Sequence, residues 1–165
     1  MEKKLDISVI SPVFNELENL ETFVESVTAV MNSTNMSWEL IIVDDGSNDG
    51  SSKILKKIGH QENIRSILLS KNYGQTTAIQ AGFDNAVGEY FVTLDSDLQN
   101  DPKDIPMLIQ KLINEELDLV VGWRKDRKDN YFFRNLPSIL ANKLIGTITG
   151  VKLHDYGCSL KAVSY

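Results

Sequence analysis

Thr93-Leu94-Asp95-Ser96-Asp97-Leu98-Gln99 closes an apolar run, Tyr90-Phe91-Val92-Thr93-Leu94, and that junction decides the fold. The run reads as a buried strand, with two carboxylates one residue apart where it ends. Side chains two residues apart in an extended chain project to the same side. Asp95, Asp97 and Gln99 are therefore expected to set three oxygen-bearing groups on one face just past the strand. Hard oxygens in that position suit Mg²⁺ or Mn²⁺ carried in with a substrate diphosphate. The plainer reading, a solvated acidic turn, loses ground because the chain repeats the pattern upstream.

The repeat is Leu40-Ile41-Ile42-Val43-Asp44-Asp45-Gly46-Ser47-Asn48-Asp49-Gly50. Four apolar residues again break into paired carboxylates and then a glycine-bounded turn. Apolar strands that end in polar turns before helices belong to α/β sheets, whose ligands sit outside the carboxyl ends of the strands. Two acidic strand ends in one short chain suggest one shared site. One carboxylate would take the imide hydrogen of a base, and another the ribose hydroxyls or a metal. Asp44, Ser47 and Asp49 also suit turn and helix-cap chemistry. Spacing alone leaves Asp45 open between base recognition and the turn.

The rest of the chain alternates regularly. Ile7–Ser11 reads as a first strand ended by Pro12, and Asn15 is expected to cap the helix carrying Leu17, Leu20, Phe23, Val24, Val27 and Val30. Glu39–Val43 is a second strand, followed by a short helix through Ile54, Leu55 and Ile58 that stops near Gly59. Ile64–Leu69 makes a third strand and Gln75–Ala86 a helix that contains Gly82. After the Asp95 cluster, Pro102 and Pro106 bracket the start of a helix with Leu108, Ile109, Leu112 and Ile113 inward. Leu117–Val121 is a fifth strand. Five short strands between helices imply an α/β fold with a mainly parallel, doubly wound sheet and helices on both faces.

Absent patterns narrow the chemistry. No G-x-G-x-x-G follows the first strand and no G-x-x-x-x-G-K-[ST] occurs, which argues against a dinucleotide Rossmann site and a P-loop. A receiver-type phosphoacceptor domain also clusters aspartates on a small sheet. Its acidic pair would follow the first strand, whereas Asp44-Asp45 follows the second. At 165 residues, 42% hydrophobic and 24% charged, the composition is that of an ordinary globular domain. A net charge of −6 argues against a nucleic-acid partner. One cysteine, Cys158, forbids an internal disulfide and fits a reducing compartment. Lys3-Lys4 runs straight into a strand pattern and no apolar run nears the ~20 residues of a membrane span. The chain reads as cytoplasmic in type.

Four segments in order then carry a family resemblance. Ser11-Pro12-Val13-Phe14-Asn15-Glu16, Val43-Asp44-Asp45-Gly46-Ser47, Asp95-Ser96-Asp97-Leu98-Gln99-Asn100-Asp101-Pro102 and Val121-Gly122-Trp123-Arg124 together resemble family 2 glycosyltransferases of GT-A fold. The resemblance is strongest to the dolichol- and polyprenyl-phosphate sugar synthase branch, and it runs from Asp6 almost to Tyr165. It implies inverting transfer of a sugar from a UDP- or GDP-linked donor, dependent on Mg²⁺ or Mn²⁺, in cell-envelope glycan synthesis. It further implies that Pro12, Phe14 and Glu16 line base and ribose and that Val43 and Asp45 recognise the base, with Asp44 structural. Asp95, Ser96 and Asp97 match the D-x-D segment, with Asp97 and Gln99 as metal ligands. Arg124 matches an arginine facing the diphosphate, where a fixed guanidinium suits phosphate oxygens. Lys71, Asn72 and Gly74 resemble the loop after the third strand, which reads equally as a turn before a helix.

Towards the end, Arg124-Lys125-Asp126-Arg127-Lys128 is locally basic, and an apolar stripe at helical spacing follows from Leu136 to Ile148. Such a stripe suits a core, and a basic loop before it suits an amphipathic helix on an anionic membrane face. The resemblance puts the acceptor loop here, with Arg134 as a second phosphate-facing arginine and polyprenyl phosphate as the acceptor at a peripheral membrane site. It also makes Asp155, in His154-Asp155-Tyr156-Gly157, the candidate general base. Because the branch continues beyond such a segment, residues 1–165 are expected to be a single catalytic domain lacking its C-terminal part. A polysaccharide or soluble glycan acceptor, or a non-catalytic nucleotide-sugar-binding module, are the alternatives.

Overall fold

Strands β1 (Leu5–Val13) and β2 (Trp38–Asp44) pair in parallel with Ile7 opposite Trp38 and Val13 opposite Asp44. All seven residues of β2 are buried, including Glu39 and Asp44, as befits a strand covered on both faces. These positions come from a computed structural model that describes residues 5–123, 155 and 157–164. Outward from β2 lies β3 (Ile64–Leu68), and outward from β1 lies β4 (Gly88–Thr93), both parallel to their neighbours. Two short strands, β5 (Leu119–Val121) and β6 (Lys161–Ser164), complete a sheet ordered β3-β2-β1-β4-β6-β5.

The connections are helices α1 (Leu17–Asn32), α2 (Ser51–Ile58), α3 (Gln75–Asn85) and α4 (Ile105–Asn114), the last preceded by a single 3₁₀ turn at Pro102–Asp104. Parallel crossovers are right-handed. The path β1-β2-β3 moves one way along the sheet and β3-β4 moves back. Hence α1 and α2 share one face, where they touch, and α3 crosses the other against β1 and β2. Close approach of α3 depends on Gly82, since a Cβ there would fall 2.3 Å from Cγ2 of the fully buried Ile10. This architecture is the doubly wound α/β sheet the alternation implies, with three departures in detail.

First, the sixth strand is not among the five expected. β6 runs antiparallel to β4, Tyr90 opposite Ser164 and Thr93 opposite Lys161. Lys-Ala-Val-Ser is too short and mixed to read as a strand, and its conformation comes from the partner. Second, Pro12 does not end β1, which continues to Val13. The Ile10 and Pro12 carbonyls face β4, whose pairing with β1 stops at Ile10 opposite Thr93. Proline's missing N–H therefore falls where the ladder has already ended.

Third, Asn15 does not cap α1. It takes a left-handed backbone, φ 58°, its N–H donates to Ser47 Oγ, and its Oδ1 accepts from the Asn48 N–H. Asp49 does the capping, and for two helices at once. Its Oδ2 accepts from the Leu17 N–H at 2.9 Å, and its Oδ1 from the Ser51 N–H at 2.9 Å and hydroxyl at 2.7 Å.

The chain divides into two compact units, Met1–Val120 with Ser159–Tyr165 and Val121–Cys158. The four helices of the described residues lie in the first. In the second, Asp155 and Cys158 are buried and the Cys158 N–H donates to the Asp155 carbonyl. Among the described residues no helix is long and apolar enough to cross a membrane.

Burial would raise the Asp49 pKa, but the Ser51 and Leu17 donors outweigh it and hold the carboxyl below its ordinary range. A depressed carboxyl stabilises the fold above its unfolded pKa and loses that contribution as pH falls through the folded value. Asp49→Ala is expected to cost about 1 kcal/mol at neutral pH. The deficit should shrink as both proteins are acidified below the ordinary carboxylate pKa, read from urea midpoints across pH.

Candidate functional site

The carboxyl ends of β1, β2 and β4 lie at one edge of the sheet and border a cavity of about 280 Å³ within the first unit. Pro12, Val13, Phe14 and Glu16 reach it from the end of β1, and Asp45 from the end of β2. Asn72, Gly74 and Gln75 come from the loop after β3 and the start of α3, and Asp95, Ser96 and Asp97 from the end of β4. The two acidic strand ends thus do share a site, at the sheet edge where α/β folds hold ligands.

Asp44 and Asp45 divide their work sharply. Asp44, 1% exposed, accepts the Ser47 N–H on one carboxylate oxygen and the Ser52 hydroxyl on the other, which is turn chemistry. Asp45, 2% exposed, lines the cavity while Oδ1 accepts from the Tyr73 N–H at 2.7 Å and Oδ2 from the Gly74 N–H at 2.8 Å. The carboxylate that the resemblance assigns to the base is also bonded to backbone 28 residues downstream. Each of its oxygens keeps a second lone pair.

At the end of β4, Asp95 Oδ1 accepts from Gln75 Nε2 at 2.7 Å, and the buried Ser96 hydroxyl approaches the Pro12 carbonyl at 3.4 Å. Asp97 Oδ1 accepts from the Gln99 N–H at 3.0 Å, an Asx turn, while its other oxygen has no protein partner among the described residues. Here the extended-chain expectation fails. Leu98 adopts φ 61°, so alternation stops at Asp97, and Gln99 is exposed and stands outside the cavity wall.

Phe14 stands 44% exposed at the cavity, and Glu16 accepts from the Asn19 side-chain amide at 2.8 Å. Val43 does not reach the wall, since its side chain packs in a buried cluster with Ile41 and Ala78. Asp155, in the second unit, accepts the Gly157 N–H at 3.1 Å. Arg124, Arg134 and the apolar stripe from Leu136 to Ile148 lie outside the described residues. Gln75 is the residue the sequence reading missed. A glutamine opening a helix carries no signal of its own, because its partner Asp95 is twenty positions away.

The wall's electrostatics are one-sided. It holds four carboxylates, those of Glu16, Asp45, Asp95 and Asp97, and among the described residues no lysine, arginine or histidine lines it. Nor do three acidic, histidine or cysteine side chains converge as a metal cage among the described residues. Asp97's unpartnered oxygen is a hard donor of the kind Mg²⁺ and Mn²⁺ take. Such ions are held by one or two carboxylates plus substrate phosphates rather than by an all-protein cage, so the donor set fits.

The family model described as glycosyl transferase family 2 matches residues 8–164. Dodecaprenyl-phosphate galacturonate synthase of Rhizobium johnstonii is 53% identical over 161 residues, covering 96% of this chain and 48% of that protein. Undecaprenyl-phosphate 4-deoxy-4-formamido-L-arabinose transferase of Salmonella paratyphi A is 42% identical over 158 residues, covering 94% and 48%. The chain spans about half the length of the curated relatives it matches. Among solved structures, glucosyl-3-phosphoglycerate synthase of Mycobacterium tuberculosis with Mn²⁺ and UDP-glucose superposes with a TM-score of 0.74 at 21% identity. That match covers 97% of this chain and 56% of that one, and it establishes the GT-A fold.

Asp44→Ala strands the Ser47 N–H and Ser52 hydroxyl and is expected to lower stability by about 2 kcal/mol in urea unfolding. Phe14→Ala, at a half-exposed position, should move the same midpoint by under about 0.5 kcal/mol.

Proposed function

The chain belongs to glycosyl transferase family 2, and from that premise we propose that its cavity binds a nucleotide diphosphate sugar together with a divalent cation. In this reading the chain is part of an inverting glycosyltransferase whose acceptor is a polyprenyl phosphate. One observation carries the donor half: a cavity walled by four carboxylates and, among the described residues, no basic side chain. Such a wall repels a diphosphate unless a cation accompanies it. The names of the two curated relatives support the acceptor half, since both are polyprenyl-phosphate sugar enzymes.

Asp97 would hold the metal, while Gln99, the second ligand the resemblance implies, stands outside the cavity wall. When bound, Mg²⁺ or Mn²⁺ supplies Lewis-acid neutralisation of charge on the diphosphate. Gln99's N–H fixes the orientation of Asp97, and Gln75 does the same for Asp95. Phe14 offers an exposed ring for a base, and Glu16 borders the same end. In the reaction, an acceptor phosphate oxygen attacks the anomeric carbon as the bond to the diphosphate oxygen breaks, and the electron pair leaves on the diphosphate. Arg124 and Arg134 are assigned to phosphate. A phosphate acceptor is already anionic, so Asp155 is assigned to orient it rather than to remove a proton. Membrane contact, on this reading, is peripheral and electrostatic.

Calorimetry of the chain with UDP and GDP, with Mn²⁺ and then with chelator, tests the donor half. Mn²⁺-dependent binding of one of them is expected, weakened about 10- to 100-fold by Asp97→Asn. Equal binding with the metal removed overturns the metal's role. Unchanged metal-dependent binding by Asp97→Asn removes Asp97 from the site. For the acceptor half, the chain should sediment with anionic but not neutral vesicles at low salt. Arg127→Glu with Lys128→Glu should weaken this by about 1 kcal/mol per charge removed. Sedimentation with neither vesicle, together with transfer to a soluble glycan, overturns the lipid acceptor.

A further inference from the structure

The loop that carries Asp97 ends on a bond to a residue 59 positions further along the chain. Asn100, 9% exposed, donates from Nδ2 to Ser159 Oγ at 2.9 Å. Thr93, the last residue of β4, donates its hydroxyl to the Ser159 carbonyl at 2.7 Å. Ser159 is therefore gripped from both ends of residues 93–100, the stretch that holds Asp95, Ser96 and Asp97. Thr93, Asn100 and Ser159 all belong to the first unit.

Each side of this grip is itself ordered. On the loop side, Asp97 Oδ1 accepts from the Gln99 N–H and Leu98 has φ 61°, so a tight turn joins Asp97 to Asn100. Asp101, the next residue, accepts from the Lys103 N–H and caps the 3₁₀ turn before α4. On the other side, Ser159 leads into β6, whose Lys161 lies opposite Thr93. Just before Ser159 comes a second turn. Its Asp155 carboxylate accepts from the Gly157 N–H at 3.1 Å, and the Asp155 carbonyl accepts from the Cys158 N–H at 3.4 Å. The turn carrying Asp155 thus ends at the residue before the one that Asn100 holds. An apolar contact would keep two segments together, but a hydrogen bond also fixes their orientation, because it weakens steeply once bent.

We propose that Asn100 is a positioning residue that ties the loop at Asp97 to Ser159, so that a bound metal–nucleotide complex steadies the Asp155 turn. The inference rests on the donor reading above. A cation held by Asp97 fixes the loop in which Asn100 stands three residues on. Ser159, held by that loop, fixes the entry to β6 and the turn that precedes it. Opening of the Asp155 turn then becomes rarer in the loaded protein. Neither Asn100 nor Ser159 borders the cavity, so the effect on the donor itself is indirect. Coupling of this kind is reciprocal, and it changes donor affinity by no more than the factor by which it changes the turn.

Amide hydrogen exchange at Gly157 and Cys158 reads the turn directly, since both N–H groups bond to Asp155. It is measured with Mn²⁺ alone and with Mn²⁺ plus UDP or GDP, whichever binds. The proteins are the wild type, Asn100→Ala, Ser159→Ala and Ser159→Thr. In the wild type, adding the nucleotide is expected to slow both amides about five-fold. Asn100→Ala and Ser159→Ala should bind the nucleotide to within that factor and lose the slowing. Ser159→Thr, which keeps the hydroxyl, should retain it. Ser159→Ala removes one oxygen and stands in if Asn100→Ala does not fold. Slowing that persists in the alanine variants, or is missing from a wild type that binds nucleotide, overturns the coupling and leaves the donor reading standing. An affinity loss well beyond that factor in either alanine variant makes the bond part of the donor site itself and also overturns the coupling. Failure of the wild type to bind either nucleotide overturns the donor reading and the coupling with it.

Discussion

Parallel pairing of β1 with both β2 and β4 is the constraint on which everything else depends. It brings Val13 level with Asp44, and Ile10 level with Thr93, so three strands expire at one edge within a few residues. Each apolar run is long enough to cross the core and then meets a polar turn. The site is what remains at that edge. The close seat of α3 on β1, permitted by Gly82 beside Ile10, starts the helix beside the same cavity. Shifting either pairing by one residue would exchange the two buried faces of β1 and carry the acidic ends apart.

Around that edge the polar groups are partnered mostly by backbone. Asp44 closes its own turn, Asp45 grips the loop after β3, and Asp49 caps both α1 and α2. Three carboxylates in six residues thus have three different employments, all within a stretch that spacing alone would read as one acidic loop. The cavity gains rigidity from these bonds, and one Asp97 oxygen has no protein partner among the described residues. An anionic wall shaped this way suits a ligand that arrives as a metal complex of a diphosphate better than it suits a bare anion.

Much of the fold was legible because hydrophobic period and turn chemistry agreed. β2, β3, α3 and α4 fall where the apolar spacing put them, and the Asp44 turn follows from its glycine and serine neighbours. What escaped the sequence reading was set by partners distant along the chain. β6 is a strand because β4 lies beside it, and Asp45 bonds to residues 28 and 29 positions on. Asn15 lost the capping of α1 to Asp49, more than thirty residues away. Gln99 left the expected face because Leu98 turns left-handed, a conformation that leucine's own propensity does not announce. The family resemblance, by contrast, was carried by four short segments in order, and the family match over residues 8–164 agrees with it.

The central claim is that the cavity at the ends of β1, β2 and β4 is where a nucleoside diphosphate and its cation sit. A crystal structure of the chain grown with UDP or GDP and Mn²⁺ tests it most directly, because anomalous scattering locates the manganese independently of the nucleotide. The expected result is a manganese peak on Asp97 with the diphosphate against it and the base towards Phe14. Nucleotide or manganese ordered elsewhere, with this cavity holding only water, would contradict the account.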